Sequence, residues 1–219
     1  MLEQILKGGS MMWPLMALSL WALAVVFDRW MAFKANRKID TRAMRSKILT
    51  RLRAGDAESA IAECAASGGP IAAVLLVGLR SYVQLRDRNE NAETMRMVVG
   101  QVMQDYAAQA MSVVNKRLDS LTTIGTAAPL FGMTGTVTGM IASFAGMAEA
   151  GSTGGGGGAV AAGIAEALIT TAAGLLIALM AVLPQSVFNR WSDEIELEIE
   201  EAGAEVLEFI LTRHHVSNQ

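Results

Sequence analysis

The stretch AVAAGIAEALITTAAGLLIALMAVLPQSVF, residues Ala159 to Phe188, decides how this 219-residue chain folds. From Ala150 to Asn189 the only charged side chain is that of Glu166. Thirty residues of helix rise about 45 Å, which exceeds the roughly 30 Å hydrocarbon thickness of a bilayer. The stretch therefore predicts a membrane-spanning helix that carries one carboxyl group among apolar residues.

Glu166 is the first candidate functional residue. An acid near the centre of a spanning helix costs roughly 2.5 kcal/mol or more, so its presence there indicates a function. Apolar surroundings disfavour a charged carboxylate, so this side chain is a candidate to bind and release a proton. Thr170 follows one turn later and Thr171 lies about 100° further round the helix, so hydroxyl groups are available to orient water. The alternative is a protonated Glu166 that only joins helices by a hydrogen bond.

The composition is that of a membrane protein. Hydrophobic residues make up 52% of the chain and charged residues 18%, and the apolar residues occur in long runs. The one cysteine, Cys64, excludes an internal disulfide, and we expect it to be a buried small side chain. The histidines, His214 and His215, are adjacent near the C-terminus, and we find no catalytic set and no metal-ligand cluster. We therefore expect no enzymatic activity, no metal and no cofactor.

A first spanning helix is predicted from Gly8 to Phe27, because these twenty residues carry no charge. A cleaved signal peptide is the alternative, but the run is long for one and no A-x-A site follows. The segment Lys34–Arg53 comes next and holds eight basic residues and one acid. By the positive-inside rule this flank is cytoplasmic and the N-terminus faces out. Its position beside a membrane helix favours contact with lipid headgroups over nucleic acid, so we expect no nucleic-acid partner.

A cytoplasmic helical domain is predicted between the first two spanning runs. Asp56 to Ala66 predicts a short helix with Asp56 as its N-cap, and Ser67 to Pro70 predicts a turn. The apolar run Ile71–Leu79 has nine residues, too few to span a bilayer, and we place it in a helical bundle. A further helix is predicted from about Ala92, and we expect it to continue into the membrane.

The second charge-free run, Ser120 to Ala148, is rich in small and hydroxyl-bearing residues. Such residues let helix backbones approach closely. One predicted face carries Gly132, Thr136, Gly139 and Ser143, and the run also holds Gly135. Pro129 is expected to kink the helix or to free a carbonyl. Small residues also surround Glu166, namely Ala162, Gly163, Ala167, Ala173, Gly174 and Ala178. Their density predicts tight helix contacts and a ring of subunits.

Together these runs predict an all-α, ring-forming membrane protein with three transmembrane helices, N-terminus out and C-terminus in. The predicted segments are 1–33 (N-terminal segment and first spanning helix), 34–117 (cytoplasmic helical domain), 118–148 (second spanning helix), 149–158 (glycine-rich outer loop), 159–188 (third spanning helix) and 189–219 (cytoplasmic C-terminal helix and tail). The last segment is expected to continue the third helix, with one apolar stripe formed by Phe188, Ile195, Ile199, Ala202, Val206 and Phe209. Its acids either pair with Lys34–Arg53, in the same or a neighbouring subunit, or form a solvated face.

Two stretches resemble the signature sequences of the MotA/TolQ/ExbB proton channel family. They are APLFGMTGTVTGM, Ala128 to Met140, and EALITTAAGLLIAL, Glu166 to Leu179. The segment DAESAIAECAASGGP and the following AAVLLVGL also resemble the cytoplasmic part of ExbB-type members, and three helices fit ExbB and TolQ better than the four-helix flagellar stator. The resemblance implies that Glu166, Thr136 and Thr171 line a proton path. Where the family often has a proline the chain reads Ala178-Leu179-Met180-Ala181, and Pro184 follows later.

The resemblance also implies partners and a location. Members form pentamers in the bacterial inner membrane around a dimer of a single-span ExbD-like or TolR-like partner, whose helix carries an essential aspartate. Proton flow then drives a periplasm-spanning effector such as TonB or TolA, and the energised process stays open. The residues themselves also allow a non-conducting membrane scaffold in which Glu166 is a structural hydrogen-bonding residue. A solute transporter is the weaker alternative, because the chain shows no inverted repeat and no pair of broken helices.

Overall fold

The computed structural model describes residues 9–37, 40–149 and 156–217, and all regular secondary structure in these ranges is helical. The helices are α1 (Met12–Asn36), α2 (Thr41–Arg53), α3 (Ala57–Ser67), α4 (Gly69–Asp87), α5 (Ala92–Asn115), α6 (Leu118–Glu149) and α7 (Gly156–Ser217). Among the described residues, three segments are long and apolar enough to cross a membrane: Met12–Asn36, Leu118–Ala148 and Val160–Thr212. The all-α class and the three long apolar helices are thus confirmed, while orientation and ring formation stay predictions.

The helices form two compact units. The first, here called the apolar unit, combines the described parts of Met1–Trp30 and Arg117–Phe188. The second, here called the charged unit, combines the described parts of Met31–Lys116 and Asn189–Gln219.

In the apolar unit, small side chains fill much of the interior and large apolar side chains lie outside. Ala22, Ala128, Ala167 and Ala181 are buried, together with Leu15, Leu121 and Ile124. Exposed side chains include Leu20, Phe27, Leu130, Leu168 and Leu176. This distribution suits a surface in contact with lipid, where no hydrophobic effect drives large side chains inward.

The predicted continuation of the helix from Ala92 into the second spanning helix is wrong. Helix α5 ends at Asn115 and α6 begins at Leu118. Between them Arg117 has a φ of +73°, a left-handed conformation that interrupts helical geometry. Its guanidinium lies 2.8 Å from a carboxylate oxygen of Asp28, which also pairs with Arg29 at 2.8 Å.

Side-chain caps define the helix starts of the charged unit. Asp56 accepts a hydrogen bond from the Ser59 backbone N–H at 3.0 Å, which confirms it as the N-cap of α3. Asp40 and Asn91 cap α2 and α5 in the same way. The turn predicted at Ser67–Pro70 is a break at Gly68, whose φ of +67° is available to glycine at little cost.

The core of the charged unit follows the predicted stripe of α7. Ile195, Ile199, Ala202 and Val206 are buried, and the Phe209 ring meets that of Tyr82 edge to face at 6.4 Å. The run Ile71–Leu79 lies in α4, where most of its side chains are buried, as predicted for a bundle helix. Cys64 is buried in α3, also as predicted.

The boundaries of the spanning helices differ from the predicted ones. Helix α1 begins at Met12 and continues past Phe27 to Asn36. Helix α6 extends to Glu149 and α7 begins at Gly156, so the glycine-rich loop is shorter at both ends than predicted. Its remaining residues, 150–155, lie outside the described part of the chain, as do the side chains of His214 and His215.

Candidate functional site

Helices α6 and α7 of the apolar unit meet backbone to backbone through glycines. A Cβ atom on Gly174 would lie 2.6 Å from the Ala128 carbonyl oxygen, and one on Gly132 would lie 3.2 Å from Thr171 Cα. Further along, a Cβ on Gly139 would lie 3.3 Å from the Gly163 carbonyl oxygen. The predicted close approach of these helices is therefore present.

The contact face of α6 includes Gly135 beside the predicted residues Gly132, Gly139 and Ser143. Gly135 lies against α7, because the Thr170 methyl group occupies the space where a Gly135 side chain would lie. Thr136 is half-buried, and its hydroxyl donates to the Met133 carbonyl oxygen of its own helix at 2.6 Å. Ser143 ends the face, with its hydroxyl against Gly163.

These small residues pack within one chain. The glycine and alanine pattern predicts both tight helix contacts and a ring of subunits. In the structure the pattern is used by the α6–α7 contact of a single chain. It therefore accounts for close packing, while the ring stays a prediction.

Two hydroxyl groups of α7 are held at this contact. Thr170 is buried and donates to the Glu166 carbonyl oxygen at 3.0 Å. Thr171 donates to the carbonyl oxygens of Gly132, at 3.1 Å, and Ala167, at 3.2 Å. Pro129 lies inside α6, which continues through it as a helix.

The Glu166 side chain is half-buried and lies against the chain just before α1. Its Oε1 atom occupies the position that a Cβ on Gly9 would take. A Cβ atom added to Gly135 would lie 3.5 Å from the Cβ atom of Met11. The site thus brings Glu166, Thr170 and Gly135 together with Gly9 and Met11, neither of which was predicted from the sequence.

A group of exposed threonines lies on another part of α6. Thr123, Thr126, Thr134 and Thr138 fall within about 120° of the helix circumference at 100° per residue. Each hydroxyl donates to a carbonyl oxygen of α6 itself, at 2.8 to 3.1 Å. Hydroxyl groups on the outer face of a spanning helix favour water or a polar partner over lipid.

In the charged unit, Arg45 of α2 forms ion pairs with two acids of α7. The Arg45 guanidinium pairs with Glu205 and lies 3.0 Å from a Glu201 oxygen, so these two acids of α7 pair with the Lys34–Arg53 segment. Asp193, Glu194, Glu196, Glu200 and Glu208 are exposed, as expected for the alternative of a solvated face. The hydrogen bonds that Arg45 donates to Glu205 raise the pKa of Arg45 above its usual value. Within the described residues, no group of three His, Cys, Asp or Glu side chains is placed to hold a metal ion.

Comparison with known proteins adds a family match. The profile of the MotA/TolQ/ExbB proton channel family matches residues 66–201, a range that contains Glu166, Thr136 and Thr171. A Synechocystis protein named ExbB-like 1 is 32% identical over 188 residues, which are 84% of this chain and 68% of that one. ExbB of Neisseria meningitidis serogroup A is 29% identical over 195 residues, covering 86% of this chain and 84% of its own. ExbB of Salmonella typhimurium is 30% identical over 141 residues, covering 64% and 57%.

Proposed function

Because this chain belongs to the MotA/TolQ/ExbB proton channel family, we propose that it is the proton-conducting stator subunit of an ExbB–ExbD-type or TolQ–TolR-type motor. It lies in the bacterial inner membrane with its N-terminus outside and its charged helices in the cytoplasm. The subunit couples the proton motive force to a periplasm-spanning effector of the TonB or TolA kind. The relatives named ExbB biopolymer transport protein support this proposal.

One observation carries the proposal. Glu166 is the only charged side chain between residues 150 and 189, and it lies within a helix segment that is apolar enough to span the membrane. Ionisable side chains inside membrane-spanning helices are rare and mark ion pathways and proton relays. In the proposed function Glu166 therefore binds the proton in transit.

The neighbouring hydroxyls order the proton path in this proposal. Thr170 donates a hydrogen bond to the Glu166 carbonyl and Thr171 donates one to the Gly132 carbonyl, so both hydroxyl groups are held in fixed positions next to the turn that carries Glu166. Thr136 supplies a third oxygen from α6. Such oxygens orient water molecules between the carboxyl and the two sides of the membrane.

The driving step needs partners. We propose a pentamer of this chain around a dimer of an ExbD-like or TolR-like single-span protein whose helix carries an aspartate. Rotation of the ring about that dimer would present each Glu166 in turn to different surroundings. Each carboxyl would then take its proton from one side and release it to the other.

The test is Glu166→Gln in the complex isolated from membranes and reconstituted in liposomes. We expect proton uptake driven by a membrane potential to be lost, while native mass spectrometry shows the same assembly. Glu196→Gln is the matched control, because Glu196 is an exposed carboxylate of the same helix outside the 150–189 segment.

Retention of wild-type proton uptake in an assembled Glu166→Gln complex would contradict the proposal. It would support the alternative scaffold, because an amide can replace a carboxyl in a structural hydrogen bond. The contact of Glu166 with the backbone at Gly9 favours this alternative, because it gives the side chain a packing role within the chain.

A further inference from the structure

We propose that Gly9 is a positioning residue for Glu166, and that the backbone preceding α1 covers one side of its carboxyl group. The consequence for conduction rests on the proposed function, but the contact itself does not. The consequence is that the Glu166 carboxyl must leave this contact before it can exchange a proton with its surroundings.

The contact requires glycine for two independent reasons. A Cβ atom on Gly9 would overlap Glu166 Oε1 and would lie 3.1 Å from its Cδ atom. Gly9 also has a φ of +67°, a conformation that other residues adopt only with strain. Any side chain at position 9 must therefore displace the carboxyl or change the backbone.

Position 9 is itself held in place. The Gly9 carbonyl accepts a hydrogen bond from the Met12 N–H at 3.2 Å, which ties it to the first turn of α1. Leu15, one turn further, is fully buried. Met11 packs against α6 at Gly135, whose other neighbour is Thr170. The segment Gly9–Met11 therefore lies across both α6 and α7 beside the carboxyl.

This arrangement gives the carboxyl a defined resting position. Glu166 is half-buried, with one side closed by the Gly9 backbone. A carboxyl that exchanges protons with changing surroundings has to leave such a contact by rotating its side chain. Gly9 thus sets the position from which that rotation starts.

The first test measures the reactivity of Glu166 with dicyclohexylcarbodiimide, which modifies protonated carboxyls in apolar surroundings. In the intact complex we expect Gly9→Ala to expel the carboxyl and to raise the labelling rate of the Glu166 peptide at least threefold. Gly68→Ala is the matched control, because Gly68 has the same φ of +67° and no atom lies within 4 Å of a Cβ there. A labelling rate in Gly9→Ala that is equal to or below that of the control would overturn the proposal.

The second test remains informative if Gly9→Ala fails to assemble. In a Cys64→Ala background, Gly9→Cys and Glu166→Cys are expected to form a disulfide within one chain on mild oxidation. The control pair is Gly158→Cys with Glu166→Cys, whose Cα atoms are about 12 Å apart along α7, beyond the roughly 7 Å reach of a disulfide. Absence of the intrachain bond in the first pair would overturn the proposal.

The two proposals can fail separately. A conducting Glu166→Gln complex together with the Gly9–Glu166 cross-link would reject the proton function and keep the positioning contact. A non-conducting Glu166→Gln complex without the cross-link would keep the proton function and reject the positioning contact.

Discussion

Thr171 Oγ donates a hydrogen bond across the α6–α7 contact to the carbonyl oxygen of Gly132, 3.1 Å away. Gly132 has no side chain that would hold the hydroxyl at a distance, so the threonine reaches the backbone of the neighbouring helix. The residue that the family resemblance assigns to the proton path therefore also joins two helices. Its substitution will affect stability as well as conduction.

Replacing Thr171 with valine keeps the shape of the side chain and removes the interhelical hydrogen bond. We expect a loss of about 1 kcal/mol in the free energy of unfolding, because such bonds in membrane proteins contribute roughly 0.6 to 1.7 kcal/mol. The measurement is unfolding of the isolated protein by sodium dodecyl sulfate in mixed micelles. Thr134→Val is the control, since the Thr134 hydroxyl bonds only its own helix in the contacts described above. Equal effects of the two substitutions would contradict the prediction.

Replacing Gly174 with alanine places a methyl group against the backbone of α6. A Cβ at this position would lie 2.6 Å from the Ala128 carbonyl oxygen, so the helices must separate. We expect a loss of roughly 1 to 3 kcal/mol, the usual cost of overpacking, measured by the same unfolding titration. At Gly158 no atom lies within 4 Å of a Cβ, so Gly158→Ala should leave stability unchanged or raise it. A neutral Gly174→Ala would show that the two helices are not in backbone contact.

Replacing Arg45 with methionine removes the ion pairs with Glu201 and Glu205. Only 14% of the Arg45 side chain is exposed, so we expect a loss of about 1 kcal/mol, at the upper end for such pairs. The raised pKa of Arg45 means that its contribution is complete below the unfolded value and is lost only at higher pH. Thermal unfolding should therefore show the same loss across neutral pH. Lys47→Met is the control, because Lys47 is 65% exposed, and it should change stability less.

Alkylation of Cys64 should be slow in the folded protein. Burial raises the pKa of this thiol to about 11, so at pH 8 roughly one molecule in a thousand carries the reactive thiolate. The rate with iodoacetamide should increase as the pH rises toward 11, and it should increase sharply on unfolding. The comparison is Val113→Cys in a Cys64→Ala background, because Val113 is 66% exposed. Similar rates at the two positions would contradict the burial of Cys64.

The features that follow from local pattern were predictable. The stripe from Ile195 to Val206 repeats with the helical period, so its burial in α7 could be expected before any contact was known. The N-cap at Asp56 depends on a hydrogen bond three residues along the chain, which the residue types indicate directly.

The features that depend on distant residues were not predictable. The contact of Gly135 with Thr170 depends on the rotation of α6 against its neighbour, which the spacing of residues along the chain does not determine. The contact between Gly9 and Glu166 joins residues far apart in the chain, and no local pattern encodes it. The break at Arg117 has no glycine or proline to mark it, and the structure shows instead a pairing with Asp28.

The exposed threonines of α6 have one more consequence. Thr123, Thr126, Thr134 and Thr138 each use their single hydroxyl hydrogen on a carbonyl of their own helix, so toward the outside they offer only lone pairs. A molecule that binds to these oxygens must be a hydrogen-bond donor, as water, hydronium or an amide is. A chloride ion, which accepts hydrogen bonds, would find no donor on these hydroxyls. These four side chains thus discriminate by hydrogen-bond polarity, without a fixed charge of their own.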